Sequence, residues 1–552
     1  MGRDIRFKPN YSDMKKQLLF LLVLFFCFGQ PNAQTFYMTA GQSGSDEGGT
    51  CIIPSGSDGN FLVAGYRDHN AIVLKMDPSG NFLWQREFDF SPPPVKDRIQ
   101  DMILDGDFLV GTGVASGTLQ ENRAFVFKYD LVQEVMVWQW LATTEISRGA
   151  QIIKEPSSGD YLIAGSRYPN GATSVEGWLM EVDQVTGAPK SFNSSFGLPG
   201  LTNFSNTLIY GNHIYTAARF SNSQGAYDYR GSVAKLDLAT KSEQWTYGYI
   251  RDYSDSAQLY AGDLVIENDT IFTVHHGSYD YANGPHSQLF LTASDLDGNL
   301  YWTRNYDIQG MMGDWSQELV ATPDGFVILG NDRSSAGLGQ DVFLMKVDRL
   351  GQFQWAKRYG DSTSVETMNL ITASQLMVND RHIFFVALVN AGSDEDMLIV
   401  KTDLNGEIGT QCPVSDLVVT SSTLLNVQDS TSLILGDSVP HAQTTPAVTS
   451  TTMPSNVVCA TIVGVAPEME SNVLEAYPNP THGLLNLRYQ LPGGQGSVLQ
   501  VHNMLGHLVS ETILESGEGT LRMDLGSQSP GIYLLSIRSN GKTLMTKKVI
   551  CR

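Results

Sequence analysis

An apolar stretch that ends in aspartate recurs seven times along this chain, at intervals of 53 to 58 residues. The seven aspartates are Asp77, Asp130, Asp183, Asp237, Asp295, Asp348 and Asp403. Short apolar runs within each unit are separated by Gly, Asn and Asp, the pattern of strands joined by turns. A period of about fifty residues with four strands is typical of one blade of a β-propeller. The spacing therefore predicts an all-β chain with a seven-bladed β-propeller over residues 35–410.

The first and sixth units are the most complete copies of the repeat. The first contains the segments 58–65 (DGNFLVAG), 71–77 (AIVLKMD) and 80–84 (GNFLW), and the sixth has matching segments at 324–330, 342–348 and 351–355. These units resemble propeller repeats of Bacteroidetes proteins. The resemblance implies the fold and leaves the activity open, because propellers carry unrelated functions.

The seventh unit lacks its last strand. It ends at Asp403–Thr410 without a tryptophan-containing segment, whereas a spare strand-like segment, Thr35–Ala40, stands near the start of the chain. A missing strand would leave a bare sheet edge. We therefore predict that Thr35–Ala40 pairs beside Met397–Thr402 and closes the ring.

The last part of the chain, residues 470–552, has its own pattern. Leu485, Leu487 and Tyr489 alternate with polar residues, and similar short runs follow, which predicts a small β-sandwich of about seven strands. The prolines of the preceding Tyr-Pro-Asn-Pro phrase fix φ and remove amide donors, so this phrase should be an extended entry or a turn. The distinctive residues are Tyr477, Pro478, Asn479, Pro480, Gly483, Gly531, Tyr533, Lys547 and Lys548.

These phrases resemble the type A C-terminal sorting domain of cargo proteins of the type IX secretion system of Bacteroidetes. The resemblance implies that the nine residues form a sorting signal. It also implies that the partners include the secretion machinery and its sortase. The protein would then be secreted or attached to the outer cell surface.

The start of the chain has the features of a signal peptide over residues 1–33. Lys15 and Lys16 precede an apolar run from Leu18 to Phe28, and Ala33 provides a small residue for cleavage. Met14 is a possible true start. The apolar run is too short for a stable transmembrane helix, so we expect no transmembrane segment in the mature chain.

Residues 411–469 are rich in Ser, Thr and Pro and are predicted to be a linker, with strands possible only near 417–423 and 431–435. Cys412 and Cys459 bracket this segment, and an oxidising compartment favours a disulfide between them. Two free thiols are the alternative, because connectivity cannot be read from sequence. Cys51 and Cys551 fall in different modules and are expected to be unpaired.

The formal net charge is −22 and the isoelectric point is about 4.8. An acidic surface repels nucleic acids and anionic membranes. We therefore expect no nucleic-acid partner, and consider a glycan or a surface protein as the ligand.

Candidate chemistry is sparse. The repeated aspartates are best explained as turn residues, because one active site does not need seven copies. His275 and His276 should point to opposite faces of a strand, which argues against a shared metal. Acidic groups at Asp252, Asp255 and Asp263 and at Asp394–Asp396 could hold calcium or a sugar, although solvated acidic loops are commoner. Aromatic residues that could stack on sugars are Tyr227, Tyr229, Tyr247, Tyr249, Tyr253, Tyr279, Tyr281 and Trp315.

No catalytic, cofactor or metal motif is assigned. The leading hypothesis is a secreted or surface-attached binding protein, more a binder than an enzyme. The alternative is an extracellular polysaccharide hydrolase or lyase that uses acidic residues on one propeller face, and an adhesion or matrix role is a third hypothesis. Two carboxylates within about 10 Å at the central mouth would favour the hydrolase.

Overall fold

A computed structural model describes residues 35–551 apart from the gaps 57–58, 92–94, 117–121, 144–145, 169–174, 198–202, 222–228, 250–257, 280–285, 310, 335–339, 361–364, 368–373, 391–393, 410–411, 425–427, 432–433, 436–440, 445, 462–472, 478, 480, 482, 492–496, 504–507, 515–516, 527, 530 and 540–541. All 43 described elements are β-strands, which confirms the all-β class. No helix in these ranges is long and apolar enough to cross a bilayer. The chain divides into two compact units: Ala33–Ile462, here called the body, and one that includes Val463–Arg552, here called the C-terminal unit. The expected signal peptide, 1–33, lies outside the described residues.

The described part of the body contains seven sheets, built from the first 29 strands and extended by seven later ones. Sheets 1 to 6 are β2–β5, β6–β9, β10–β13, β14–β17, β18–β21 and β22–β25, and sheet 7 combines β26–β29 with β1. The strand bounds are β1 Thr35–Ala40, β2 Glu47–Pro54, β3 Phe61–Arg67, β4 Asn70–Met76, β5 Phe82–Asp89, β6 Lys96–Asp105, β7 Phe108–Ser116, β8 Arg123–Asp130, β9 Val135–Ala142, β10 Ile146–Lys154, β11 Tyr161–Tyr168, β12 Glu176–Val182, β13 Pro189–Gly197, β14 Asn203–Tyr210, β15 His213–Ser221, β16 Tyr229–Asp237, β17 Glu243–Tyr249, β18 Gln258–Glu267, β19 Thr270–Tyr279, β20 His286–Asp295, β21 Leu300–Ile308, β22 Met311–Thr322, β23 Gly325–Ser334, β24 Gln340–Asp348, β25 Phe353–Tyr359, β26 Val365–Thr367, β27 Leu376–Val378, β28 His382–Asn390 and β29 Glu395–Asp403.

Each sheet shares an apolar core with the next sheet along the chain. Leu62 of sheet 1, for example, is buried in one cluster with Leu109 and Phe125 of sheet 2. The last of these cores joins sheet 7 to sheet 1, where the rings of Phe384 and Phe61 lie 5.2 Å apart. The inter-sheet cores therefore close the series of sheets into a ring, the arrangement of a β-propeller.

The N-terminal strand completes sheet 7 as the sequence predicts. β1 pairs antiparallel with β29, with Met38 opposite Ile399 and Ala40 opposite Met397. Its apolar side chains are buried, including Phe36 at 1% exposure. Sheet 7 thus joins the two ends of the repeat region, and the ring is held shut by backbone hydrogen bonds.

The repeated glycine and tryptophan hold neighbouring sheets together. Gly351 has a φ of +70°, and a Cβ there would lie 2.9 Å from the ring of Trp302 in the preceding sheet. Both the positive φ and the close approach therefore require glycine. Gly80 of sheet 1 meets Phe36 of β1 instead, at 3.2 Å from a built Cβ. The N-terminal strand thus supplies the aromatic ring for the last sheet.

The segment expected from its composition to be a linker forms seven further strands, β30 to β36, here called the belt. Each belt strand pairs antiparallel with the outer strand of a different sheet, in the order of sheets 6, 5, 4, 3, 2, 1 and 7. The physical reason is that every outer strand offers an unpaired edge, to which a short polar segment can bond without a core of its own. The bounds are β30 Val414–Asp416, β31 Val419–Leu424, β32 Gln428–Thr431, β33 Ile434–Leu435, β34 His441–Gln443, β35 Ala447–Ser450 and β36 Ser455–Thr461.

A disulfide joins the two ends of the belt. Cys412, just before β30, is bonded to Cys459 in β36, with a Cα–Cα distance of 5.4 Å. The covalent loop thus passes once along the outer edges of all seven sheets. Cys51 and Cys551 are free and buried.

The C-terminal unit has seven described strands in two sheets, β37-β38-β41 and β40-β39-β42-β43. Leu487, Val501, Leu535 and Val549 form the buried centre between the sheets, and Cys551 is buried in the same core. The bounds are β37 Val473–Tyr477, β38 Leu484–Leu491, β39 Ser497–Asn503, β40 Leu508–Leu514, β41 Gly517–Asp524, β42 Gly531–Ser539 and β43 Lys542–Cys551.

Candidate functional site

The ring has two different ends because strand direction alternates within every antiparallel sheet. Connections between the first and second strands of a sheet, and between the third and fourth, lie at one end, here called the turn face. Connections between the second and third strands, and from one sheet to the next, lie at the other end, here called the loop face. Some strands that follow each other at this face are separated by more residues than those at the turn face, such as β15 and β16 or β17 and β18. Loops of this kind commonly carry binding residues on a rigid scaffold.

The turn face contains the seven repeated aspartates. Oδ1 of Asp77 accepts hydrogen bonds from the backbone N–H of Ser79 at 2.8 Å and of Asn81 at 2.9 Å. The other six carboxylates accept equivalent bonds from amides two to four residues ahead. These aspartates therefore build turns, and their repetition needs no catalytic explanation.

A second repeated position lies on the innermost strands, and sequence analysis missed it. In six sheets it follows a shift of register between the first two strands. Its residues are Cys51, Asp101, Gln151, Asn206, Asp263 and Glu318. Superimposing the repeats at intervals of 50 to 57 residues would have revealed Asp, Glu, Asn or Gln at this place in five of these six copies.

The carboxylates at this position connect one sheet to the next. Oδ2 of Asp101 accepts a hydrogen bond from Ile152 N in sheet 3 at 2.9 Å, and Oδ2 of Asp263 accepts one from Leu319 N in sheet 6 at 2.7 Å. Glu318 accepts one from the N–H of Gln375 beside sheet 7. Asp101, Asp263 and Glu318 are only 3%, 4% and 1% exposed. Side chains so deeply buried hold the ring together and are closed to a polymeric substrate.

Burial changes the acidity of these groups. It raises the pKa of Asp101 to about 6 and that of Asp263 to about 7. It also raises the pKa of Glu318, and the charges of Asp263 and Asp101 act in the same direction. Asp97, enclosed by Phe90 and Ser91, has its pKa raised by burial to about 7 as well.

We expect the thermal stability to rise as the pH falls from about 8 to about 6.5. A carboxyl whose pKa is higher in the folded state binds protons more strongly there, so its contribution to stability is lost as the pH rises through the folded pKa. Asp97 and Asp263 should each contribute about 1 kcal/mol over this interval. Below it, His275 opposes the trend, because burial lowers its pKa to about 3 and unfolding lets it gain a proton. Calorimetric melting temperatures at the two pH values test this, and a lower value at the more acidic pH would contradict it.

Two arginines lie at the loop-face end of neighbouring inner strands, Arg98 on β6 and Arg148 on β10. Nε of each is buried and has no hydrogen-bond partner among the described residues. No carboxylate among the described residues forms an ion pair with either one. The guanidinium carbon of Arg98 lies 4.2 Å from the ring centroid of Tyr66. Burial lowers the pKa of Arg148, and the nearby charge of Arg98 lowers it further.

The acidic segment Asp394–Asp396 lies at the same face, at the start of β29. The hydroxyl of Tyr66 donates a 2.7 Å hydrogen bond to Glu395, and Asp394 accepts one from Gly44 N at 2.8 Å. Burial and the neighbouring Asp394 raise the pKa of Asp396. Tyr66 therefore stands between a pair of arginines and a group of carboxylates.

The remaining sequence candidates are dispersed or buried. His275 is fully buried and shares a 3.1 Å hydrogen bond with Thr292, so it is a core residue. Asp263 belongs to the inner-strand position described above, whereas Asp252 and Asp255 lie outside the described residues. Within the described ranges, no group of three or more His, Cys, Asp or Glu side chains could hold a metal ion.

Most of the aromatic candidates fall outside what the structure describes. Tyr249 is buried, and Tyr247 stacks on Trp245 at 5.1 Å, so these two residues are part of the packing between sheets. Tyr227, Tyr253 and Tyr281, together with the side chains of Tyr229, Tyr279 and Trp315, lie outside the described residues.

In the C-terminal unit, Asn479 links the two phrases of the expected sorting signal. Its amide donates to Lys548 O at 2.8 Å and accepts from Ile550 N at 2.9 Å, which ties the Tyr-Pro-Asn-Pro phrase to the last strand. Gly483 is required because a Cβ there would lie 2.6 Å from Gly526.

The other described members of the signal lie on the strands. Tyr533 donates to Ser529 O at 2.6 Å and is buried, whereas Tyr477, Lys547 and Lys548 are exposed. Gly531 begins β42. Pro478 and Pro480 lie outside the described residues.

Residues 475–552 match the family model described as a secretion system C-terminal sorting domain. The C-terminal unit is therefore the sorting domain of a type IX secretion cargo, and the protein is exported to the extracellular space or the outer cell surface. None of the curated proteins compared with the chain matches it.

Among solved structures, the chain is similar to an α-L-arabinanase of Penicillium chrysogenum in complex with arabinobiose, with 14% identity, a TM-score of 0.38, and coverage of 57% of this chain and 96% of that one. It is also similar to the polysaccharide lyase Uly1, with 9% identity, a TM-score of 0.39 and coverage of 65% and 90%. A third is Drosophila Plexin A in complex with Semaphorin 1b, with 8% identity, a TM-score of 0.38 and coverage of 67% and 87%. These TM-scores are too low to support an argument about function.

Proposed function

We propose that the body is a seven-bladed β-propeller that binds a ligand outside the cell through its loop face. The observation that carries this proposal is the pair Arg98 and Arg148, whose buried Nε atoms have no partner among the described residues. Charged groups in a folded protein are normally paired when they lose water. An unpaired, partly buried charge at the loop face is therefore available for a ligand.

The polar side chains of the two faces differ, and the difference favours ligand binding at the loop face. The carboxylates of the turn face are used by their own turns, whereas the loop face brings together arginines, a tyrosine and carboxylates from sheets 1, 2, 3 and 7. The belt covers the outer edges of the sheets, so a ligand that adds a strand to an edge is not favoured.

A glycan and protein binding array with the purified full chain tests the proposal. Each face is then blocked in turn by attaching a polyethylene glycol chain to a single introduced cysteine, at exposed Ser43 (S43C) on the loop face or at Val132 (V132C) on the turn face. We expect binding that is lost when Ser43 carries the polymer and kept when Val132 carries it. No binding on the array, or loss only with the modified Val132, would contradict the proposal.

Cleavage of a polysaccharide, by hydrolysis or by a lyase reaction, is the second candidate function. The neighbouring carboxylates Asp394 and Asp396 favour it. A raised pKa in one of two adjacent carboxyls is the arrangement that supplies a general acid and a base. Incubation with polysaccharides and analysis of reducing ends and unsaturated products tests this function. D396N should then abolish turnover while binding remains, and binding without any product would favour the binding function alone.

A further inference from the structure

Arg98 and Arg148 occupy equivalent places in two adjacent repeats, 50 residues apart in the chain. Each stands three residues before the inner-strand polar position of its sheet, Asp101 or Gln151. Both lie near the loop-face start of the first strand of their sheet, β6 and β10, and these two sheets are neighbours in the ring. The charge of Arg98 accordingly lowers the pKa of Arg148. Two like charges in a partly buried place repel each other, so an anion between them would relieve an unfavourable arrangement.

The surroundings favour an oxyanion with a planar or trigonal face. Guanidinium groups donate in a fixed fork that matches carboxylate and sulfate oxygens with two parallel hydrogen bonds. The ring of Tyr66 supports Arg98 from one side, and the bond from the hydroxyl of Tyr66 to Glu395 fixes that ring. Arg98 is therefore held in place without any use of its own hydrogen-bond donors by the described residues.

The charge of the whole protein limits which anions can approach. With a formal net charge of −22, the protein repels densely charged polymers such as nucleic acids, which carry one charge per about 1.7 Å. A polysaccharide with one acidic group per sugar or per few sugars has a lower charge density than a nucleic acid. Its hydroxyl groups are neutral, so the acidic groups of the protein do not repel them.

We infer that Arg98 and Arg148 together bind one carboxylate or sulfate group of an anionic polysaccharide at the loop face. This inference rests on the proposed binding function and names its ligand class. Arg98 and Arg148 provide the donors, Tyr66 positions Arg98, and the carboxylates beyond Tyr66 restrict the anionic group to the arginine side.

Matched polymers separate the two sources of negative charge. Polygalacturonate is compared with its methyl ester, which lacks the carboxylate charge, and dextran sulfate of low substitution, with at most one sulfate per sugar, is compared with unsubstituted dextran. Poly-L-glutamate serves as a peptide with comparable carboxylates. We expect the full chain to bind polygalacturonate or dextran sulfate, and to bind the uncharged counterpart and poly-L-glutamate at least tenfold more weakly.

Substitutions at the two arginines test the residues themselves. R98Q and R148Q should each weaken binding at least tenfold, whereas R381Q removes the same charge from the exposed turn face and should leave affinity unchanged. R98K keeps the charge and loses the fork, so it should restore only part of the affinity. Circular dichroism and the melting temperature show whether each variant is folded, and R148Q provides an independent test if loss of the contact with Tyr66 unfolds R98Q.

The outcomes distinguish this inference from the proposed function. Binding of a neutral glycan, unaffected by R98Q and R148Q, would overturn the inference and leave a loop-face binding protein. Equal binding of poly-L-glutamate would show nonspecific attraction and would also overturn it. If the full chain bound no polymer and no protein, both the inference and the proposed binding function would be contradicted.

Discussion

Deletion of Thr35–Ala40 is expected to prevent the body from forming a closed ring. The strand lies inside sheet 7, with β29 on one side and β36 on the other. Its removal leaves β36 without a partner and one edge of β29 unpaired. It also removes the buried side chains of Phe36, Tyr37 and Met38. About six or more backbone hydrogen bonds at about 1 kcal/mol each are lost. About 2 kcal/mol is lost for each buried apolar side chain.

The sum is of the order of 10 kcal/mol, which equals the whole stability of many domains. We therefore expect aggregation or soluble oligomers in place of the monomer, because the exposed edge of β29 can pair with another chain. Size-exclusion chromatography with light scattering and calorimetry measure this. A monomeric deletion variant with an unchanged melting temperature would show that β1 does not hold the ring.

Single substitutions in β1 provide a graded control. Phe36 lies under Gly80 and is almost fully buried, so F36A should cost about 3 to 5 kcal/mol. T39A removes a smaller, partly exposed side chain from the same strand and should cost about 1 kcal/mol or less. Equal effects of the two substitutions would mean that the contact between Phe36 and Gly80 does not matter.

Much of the ring was predictable because its signals are local and repeated. The aspartate turns follow from Asp and Gly at fixed offsets, and the pairing of Thr35–Ala40 follows from a missing strand in the last unit. Both depend on residues whose backbone preferences decide the structure within a few positions. The strand β38 of the C-terminal unit was likewise visible from the alternation of Leu485, Leu487 and Tyr489 with polar residues.

The belt and the loop-face arginines were not predictable in the same way. Strands were expected only near 417–423 and 431–435. A belt strand such as β34, His441–Gln443, is too short to show a period, and its conformation is set by the edge it pairs with. Arg98 is one arginine among many in the sequence. Its meaning depends on Tyr66 from the previous sheet and on Arg148 from the next, and these relations exist only after the sheets have packed.

The belt is held to the sheets more by backbone pairing and by the disulfide at its ends than by burial of its side chains. The central residues of β31 are exposed, so backbone hydrogen bonds to the sheet edge contribute most of its attachment. Scattered side-chain contacts add to this, such as the 2.6 Å ion pair between Lys357 and Asp416. Asp416 is largely exposed, and ion pairs that are open to solvent are weak. A segment attached in this manner would leave one sheet after another if either end were free. The disulfide prevents this, because it fixes β30 and β36 to each other across the junction of sheets 6 and 7.

Opening this disulfide is accordingly expected to have the second largest effect. The two cysteines are separated by 47 residues, for which the chain-entropy model gives a loss of about 4 kcal/mol. C412S combined with C459S should lower the free energy of unfolding by this amount and should let the belt detach before the ring unfolds. Dithiothreitol should produce the same change in the unmodified protein and none in the double variant, which separates loss of the bond from loss of the two side chains.

Limited proteolysis locates the change. No Lys or Arg occurs from Thr402 to Leu487, so trypsin cannot cut the belt and serves as the control protease. Thermolysin, which cuts beside apolar residues, should cleave the opened belt near exposed Val457 and Val458 at least tenfold faster than the intact one. Because global unfolding would speed cleavage by both proteases, a rise with thermolysin alone shows release of the belt from a ring that remains closed. Equal thermolysin rates with the disulfide intact and open would mean that strand pairing alone holds the belt.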